Sequence, residues 1–154
     1  MESKPDLDAK DWRILEILQQ DARITWADLG RQVGLSAPAV TERVRVLEDL
    51  GVIQGYGARV DPHALGLELT ALIRLRTTHA QMRTCLEAFE RMAHVLETHR
   101  VTGEDCFVLK VLVGKAVQLQ AVVDDLARYG AVVTSVVLSS TPVKPIVRTL
   151  ARPG

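Results

Sequence analysis

Aromatic residues make up 4% of the 154 residues, too few for the stacked platforms that hold single-stranded nucleic acid. The 2 cysteines, Cys85 and Cys106, offer neither a disulfide framework nor a four-ligand zinc site, and both thiols read as small core residues. Long apolar runs are missing too. The most apolar stretch, residues 131–138, is broken by Thr134 and Ser135, so nothing approaches the ~20 residues that cross a bilayer. The opening Met1-Glu2-Ser3-Lys4 lacks the apolar core of a secretory signal, which makes a cytoplasmic location the expectation. Net charge is zero, and residues 1–60 hold 8 basic against 10 acidic side chains. Phosphate binding usually shows as a basic excess, so any DNA-binding role must rest on where the arginines sit. What is present, 47% hydrophobic and 25% charged residues, is the composition of a globular chain with one ordinary domain or two small ones.

The apolar period changes along the chain, and with it the expected structure. Residues 7–50 read as three helices. The first starts at Asp6 or Asp8, carries Ile14, Leu15 and Leu18 on one face, and stops near Asp21. The second starts near Thr25, with Trp26, Leu29 and Val33 on one stripe, and Gly34 stands where a helix takes a left-handed cap. One residue later Ser36 is an N-cap, and Pro38 falls in the first turn of the third helix, where a missing N–H costs nothing. Val40, Val44, Leu47 and Leu50 form its buried stripe. Residues 52–60 look extended, and Asp61-Pro62 closes them with a turn.

Alternation then takes over. A strand is expected over 69–78, with Arg74 and Arg76 on one face and Ile73 and Leu75 on the other, then a helix over 80–92 with Met82, Leu86 and Phe89 inward. Strands over 95–101 and 107–113 pair across the turn Thr102-Gly103-Glu104-Asp105. A helix over 115–129, with Val122, Leu126 and Tyr129 inward, and a strand over 132–139 complete βαββαβ. The fold class is therefore α+β. Residues 1–51 are expected to form a three-helix helix-turn-helix domain of winged type, 52–66 an extended hinge, and 67–154 a ferredoxin-like βαββαβ domain.

In a helix-turn-helix the third helix enters the major groove by its first residues. With its stripe turned inward, Ala37, Pro38, Ala39, Thr41, Glu42, Arg43 and Arg45 face DNA. Ser36 and the helix N-terminus take a phosphate oxygen, Arg43 and Arg45 take phosphates or a guanine edge, and Arg31 takes a further phosphate. The small side chains at 37–39 offer few hydrogen bonds to bases, so part of the readout falls to DNA shape. The bland alternative is a packing unit whose Arg43 and Arg45 pair with Glu48 and Glu42.

The order Leu7-Asp8-x-x-Asp11-x-x-Ile14-Leu15, Leu18-Gln19-x-Asp21-Ala22-Arg23, Val33-Gly34-Leu35-Ser36 and Arg43-Val44-x-x-Leu47-Glu48-x-x-Gly51-Val52-Ile53 closely resembles the Lrp/AsnC family of feast/famine regulators. The likeness continues through Gly55-Tyr56, Asp61-Pro62-x-x-Leu65-Gly66 and Val101-Thr102-Gly103-x-Asp105. It implies a transcription regulator that binds double-stranded DNA, forms homodimers that assemble to tetramers or octamers, and responds to a small effector, usually an amino acid. It places the effector at the loop Thr102, Gly103, Glu104 and Asp105, where backbone N–H groups suit a carboxylate and Asp105 an α-ammonium. Ser139 and Ser140, with Thr141, are further candidates for that pocket. A plain hairpin turn accounts for the same loop residues. Where many relatives carry a cysteine ahead of the Val-Thr-Gly, this chain has Thr98.

No catalytic, metal or cofactor site is expected, because His63, His79, His94 and His99 are scattered and no nucleophile motif accompanies them. Two alternatives stay open. One is an enzyme resembling the siroheme decarboxylases, with His99-Arg100 beside the Thr102 loop; the other is an amino-acid sensor or scaffold that ignores DNA.

Overall fold

The computed structural model describes residues 5–151, which form two compact units dividing between Arg59 and Val60. The described residues from Pro142 onward count with the first unit, so the tail of the expected 67–154 domain groups with the helices instead.

The first unit is trihelical. Helix α1 (Ala9–Gln20) opens with a reciprocal cap: the Asp8 carboxylate accepts from the N–H groups of Lys10 and Asp11, and the Asp11 carboxylate accepts from the Asp8 N–H. Helix α2 (Trp26–Val33) is capped by the Thr25 hydroxyl and ends at Gly34 in the left-handed conformation. Helix α3 (Ala37–Asp49) is capped by Ser36. Gly30, buried within α2, packs against the turn to α3 so closely that a β-carbon there would lie 2.5 Å from the Leu35 carbonyl oxygen. Ile14, Leu29, Val40, Val44 and Leu47 fill the centre, each removed from water to a gain of roughly 1.5–3 kcal/mol. Leu50, expected in that stripe, is 54% exposed because α3 has ended and the chain turns at Gly51. Val52 and Ile53 pack back on the core instead. Among the described residues no strand forms in this unit, so the expected wing is absent, and residues 54–60 run without regular structure.

The second unit is a four-stranded antiparallel sheet in the order β2-β3-β1-β4, built from β1 (Leu69–Arg76), β2 (Val95–Arg100), β3 (Phe107–Val113) and β4 (Ala131–Val136). Helices α4 (Met82–Arg91) and α5 (Ala116–Ala127) complete the βαββαβ order. Ala71, Ile73 and Leu75 alternate with Phe107, Leu109, Val111 and Val113 on the covered face, all buried, and the Phe107 ring meets Phe89 edge to face at 5.3 Å. On α4 the buried positions are Cys85, Ala88 and Phe89, whereas Leu86, expected inward, is 42% exposed. The opposite face, with Leu72, Arg74, Val108, Lys110, Leu112 and Val133, has no helix packed over it among the described residues. Strand β4 ends at Val136, short of the expected 139, and a four-residue helix α6 (Arg148–Ala151) that the sequence reading lacked closes the described tail.

Candidate nucleic-acid interface and effector loop

Helix α3 presents Ser36, Pro38, Thr41, Glu42 and Arg45 to solvent, while Ala37, Ala39 and Arg43 are half-buried. Every polar group of this set already has a partner within the unit. The Ser36 hydroxyl oxygen accepts from the Ala39 N–H at 3.4 Å, and the Thr41 hydroxyl donates to the Ala37 carbonyl at 2.9 Å. Arg31 pairs with Asp28 one turn earlier on α2. Arg45 donates from Nε and one terminal nitrogen to both oxygens of Glu42, at 3.0 and 2.6 Å, and from the other terminal nitrogen to Asp49 at 2.6 Å. This side-on grip holds the Glu42 carboxyl below its ordinary range. Three of the five guanidinium N–H groups are thereby engaged, leaving one on each terminal nitrogen.

Arg43 departs from the expected role. Its guanidinium points back to α1 and bonds Asp8 at 2.8 Å and Asp11 at 2.7 Å, not Glu48 and not open solvent. The Asp11 N–H first, and Arg43 next, pull the Asp8 carboxyl down from 3.8 to about 2. The cause is packing: α3 crosses α1 so that this position meets the capped N-terminus of α1. Arg43 therefore ties α3 to α1, and the solvent-facing cation of the helix is Arg45. Glu48, freed from Arg43, accepts from the Tyr56 hydroxyl at 2.7 Å, and partial burial and this bond raise the phenol to about 12.

The loop between β2 and β3 carries Gly103 at φ 112°, a conformation that side-chain-bearing residues rarely adopt, with open space where a β-carbon would stand. Thr102, Gly103 and Glu104 are exposed and Asp105 half-buried. Both loop carboxylates are met by arginines from the open face of β1: Glu104 by Arg76, and Asp105 by Arg74 at 3.6 Å. The pair Arg74 and Asp105 offers one charge of each sign beside a bare glycine backbone, which is what a zwitterion requires. Neither arginine was singled out from sequence for this site, although strand alternation had put both on one face.

Ser139 and Ser140 do not join this loop. Leu75 pairs with Phe107 at the loop end of the sheet, whereas the Val137 N–H bonds the Thr70 carbonyl at the other end, and both serines lie beyond it. Five strand residues, roughly 17 Å at ~3.3 Å each, separate the two ends, because β4 runs away from the loop.

The sequence profile of the AsnC-type helix-turn-helix domain matches residues 7–48, and that of the Lrp/AsnC ligand binding domain matches residues 70–145. YezC of Bacillus subtilis, an HTH-type transcriptional regulator, is 37% identical over 139 residues, 90% of this chain and 99% of that protein. The chain belongs to the Lrp/AsnC family. The solved LrpC of Bacillus subtilis superposes with a TM-score of 0.85 at 30% identity, covering 91% of this chain and 100% of that one. The regulator NMB0573 of Neisseria meningitidis, solved as a complex with L-Met, gives 0.83 at 29% identity, covering 90% and 94%. This Lrp/AsnC chain is accordingly a DNA-binding transcriptional regulator, with an N-terminal helix-turn-helix and a C-terminal ligand-binding domain.

The histidines of this Lrp/AsnC member stay apart. His99 opposes Val108 and Arg100 opposes Phe107, so these consecutive side chains leave opposite faces of the sheet. His94 lies against the Leu112 carbonyl at 3.1 Å, and His99 against Glu97 at 3.4 Å. The Cys85 thiol is buried and pushed up by that burial, which keeps it protonated. No helix is long and apolar enough to cross a membrane among the described residues.

Proposed function

We propose that this chain is an amino-acid-responsive cytoplasmic regulator that holds double-stranded DNA through α3 helices supplied by several subunits at once. The observation that carries the reading is α3 itself. Val40, Val44 and Leu47 bury one stripe, and Pro38, Thr41, Glu42 and Arg45 stand outward on the opposite side, behind a capped N-terminus. Arg45 reads a guanine edge with its two remaining N–H groups, and Glu42 and Asp49 position it. Ser36, through its hydroxyl proton, and Arg31, exchanging Asp28 for phosphate, contact the backbone. Ala37 and Ala39 allow close approach, and Arg43 sets the angle of the helix on α1.

Homodimers form through the open sheet face, where Leu72, Val108, Leu112 and Val133 lie between the Glu97–Lys110 ion pair and the Arg74 row. Dimers join into tetramers or octamers. The effector is an amino acid seated at Thr102, Gly103, Glu104 and Asp105, its ammonium on Asp105 and its carboxylate on Arg74 and the Gly103 backbone. The L-Met complex of the Neisseria meningitidis regulator supports that ligand class. Ser139 and Ser140 reach such a site only from a different subunit. Effector binding shifts which assembly, and hence which spacing of α3 helices, is populated.

Hydroxyl-radical footprinting on DNA upstream of the chain's own gene tests the reading. Paired protections repeating at about one helical turn, rearranged by one amino acid, are expected. A uniform ladder with no protected half-sites would overturn it.

A further inference from the structure

The first unit holds a groove that the α3 surface does not use. It lies between α1 and residues 52–57, encloses a cavity of about 410 Å³, and is walled by Trp12, Leu15, Leu18, Val52, Ile53 and Tyr56. The described C-terminal residues cross its rim. The side chain of Gln19, on the last turn of α1, accepts from the Ile146 N–H at 2.8 Å and donates to the Ile146 carbonyl at 3.0 Å. Two bonds of opposite sense to one residue's backbone reproduce an antiparallel bridge with an amide side chain in place of a peptide group. Gln19 therefore reads extended chain and not a particular side chain. Arg59 donates to the Gln19 carbonyl at 3.3 Å, tying the same turn to the end of the 52–59 segment. On the tail side, Pro142 and Pro145 flank Val143 and Lys144 and favour the extended conformation that such a bridge needs. The Ile146 side chain reaches the cavity edge but stays 62% exposed.

We propose that this groove is a docking surface for extended peptide, that its occupant is the chain's own tail, and that seating of the tail adjusts the DNA-binding unit. The tail continues from β4 of the ligand-binding sheet, yet its described residues count with the helical unit. The chain thus passes between the two units twice, at residues 59–60 and at 141–142, and after the second passage Ile146 is seated reversibly on Gln19. A change at the end of β4 acts on α1 through that second link. The regulatory half of the proposal rests on the effector reading above; the seat does not.

Amide hydrogen exchange on the full-length protein tests the seat. The Ile146 N–H should exchange at least ten-fold more slowly than that of Val143, which lies 91% exposed. Gln19→Ala should erase the difference without altering far-UV circular dichroism. Equal exchange in the unaltered protein would overturn the seat. A double variant, Gln19→Cys with Ile146→Cys, settles whose tail it is: a disulfide running at monomer mass on a denaturing gel supports the chain's own tail, and one at dimer mass overturns it. For the regulatory half, Gln19→Ala should keep amino-acid binding by calorimetry but lose several-fold of the effector-induced change in DNA affinity. Unchanged coupling would overturn that half. Should the unaltered protein bind no DNA, the regulator reading fails while the exchange and cross-linking results stand on their own.

Discussion

The guanidinium of Arg43 sits between Asp8 and Asp11 of α1, and that of Arg45 between Glu42 and Asp49 of its own helix. Two positions apart, they carry different duties, and each gives a separate prediction. Asp8 titrates at about 2 when folded against 3.8 ordinarily, so it adds stability above about pH 4 that fades as pH falls toward 2. Arg43 is one cause of that depression. Arg43→Ala should lower the melting temperature at pH 7 and flatten its fall between pH 4 and pH 2; melts by circular dichroism across that range check it, and superimposable curves would count against the ion pair. Arg45→Gln should instead leave stability alone and cut the preference for operator over random DNA by about ten-fold, as expected of a base-edge contact worth ~1–3 kcal/mol. Its non-specific affinity should hardly move, because Glu42 and Asp49 already neutralise the charge. Competition anisotropy separates the two. At the loop, Gly103→Asp places a side chain at φ 112° and a third carboxylate beside Glu104 and Asp105. DNA binding should survive and the amino-acid response disappear, as read by the same titration with effector added.

Elements bounded by local chemistry were legible in the sequence. Asp8, Thr25 and Ser36 cap their helices where their hydroxyl or carboxylate chemistry predicts, and Gly34 ends α2, since a cap involves only a few neighbouring residues. Leu86 misled because the inward stripe of α4 runs through Cys85 and Phe89, which sets Leu86 to one side, and Leu50 misled because α3 ends at Asp49. On the sheet, period-two alternation correctly divided Arg74 and Arg76 from Ile73 and Leu75, and the same rule applied to His99 and Arg100 separates them. Contacts that depend on how elements pack were not legible. Arg43 lies 35 residues from Asp8, and Gln19 lies 127 from Ile146, and no spacing rule spans either gap. The helix-turn-helix corner itself yields a prediction. Gly30→Ala must displace the Leu35 carbonyl from a 2.5 Å approach, so the α2–α3 turn opens and the melting temperature should fall by roughly 5 °C or more. A variant melting with the unaltered protein would show that the turn yields freely.

For the whole molecule the governing fact is that zero net charge and paired arginines give each DNA-binding unit little electrostatic affinity of its own. On the assembly proposed above, affinity comes from number. Several units on one assembly raise the effective concentration of the second and later contacts, with gains of about 10²–10⁴ where geometry permits. Placing a charge on the open sheet face, as in Leu72→Asp with Val133→Asp, should dissociate the assembly in sedimentation velocity and weaken operator binding far more than any single α3 substitution. The most direct test is fluorescence anisotropy of the unaltered protein on DNA upstream of its own gene and on scrambled DNA, over a range of salt, with and without a panel of amino acids. Tighter, salt-sensitive binding to the upstream DNA, altered by one amino acid, is the predicted result. Equal affinity for both DNAs at every salt concentration, indifferent to the whole panel, would contradict it.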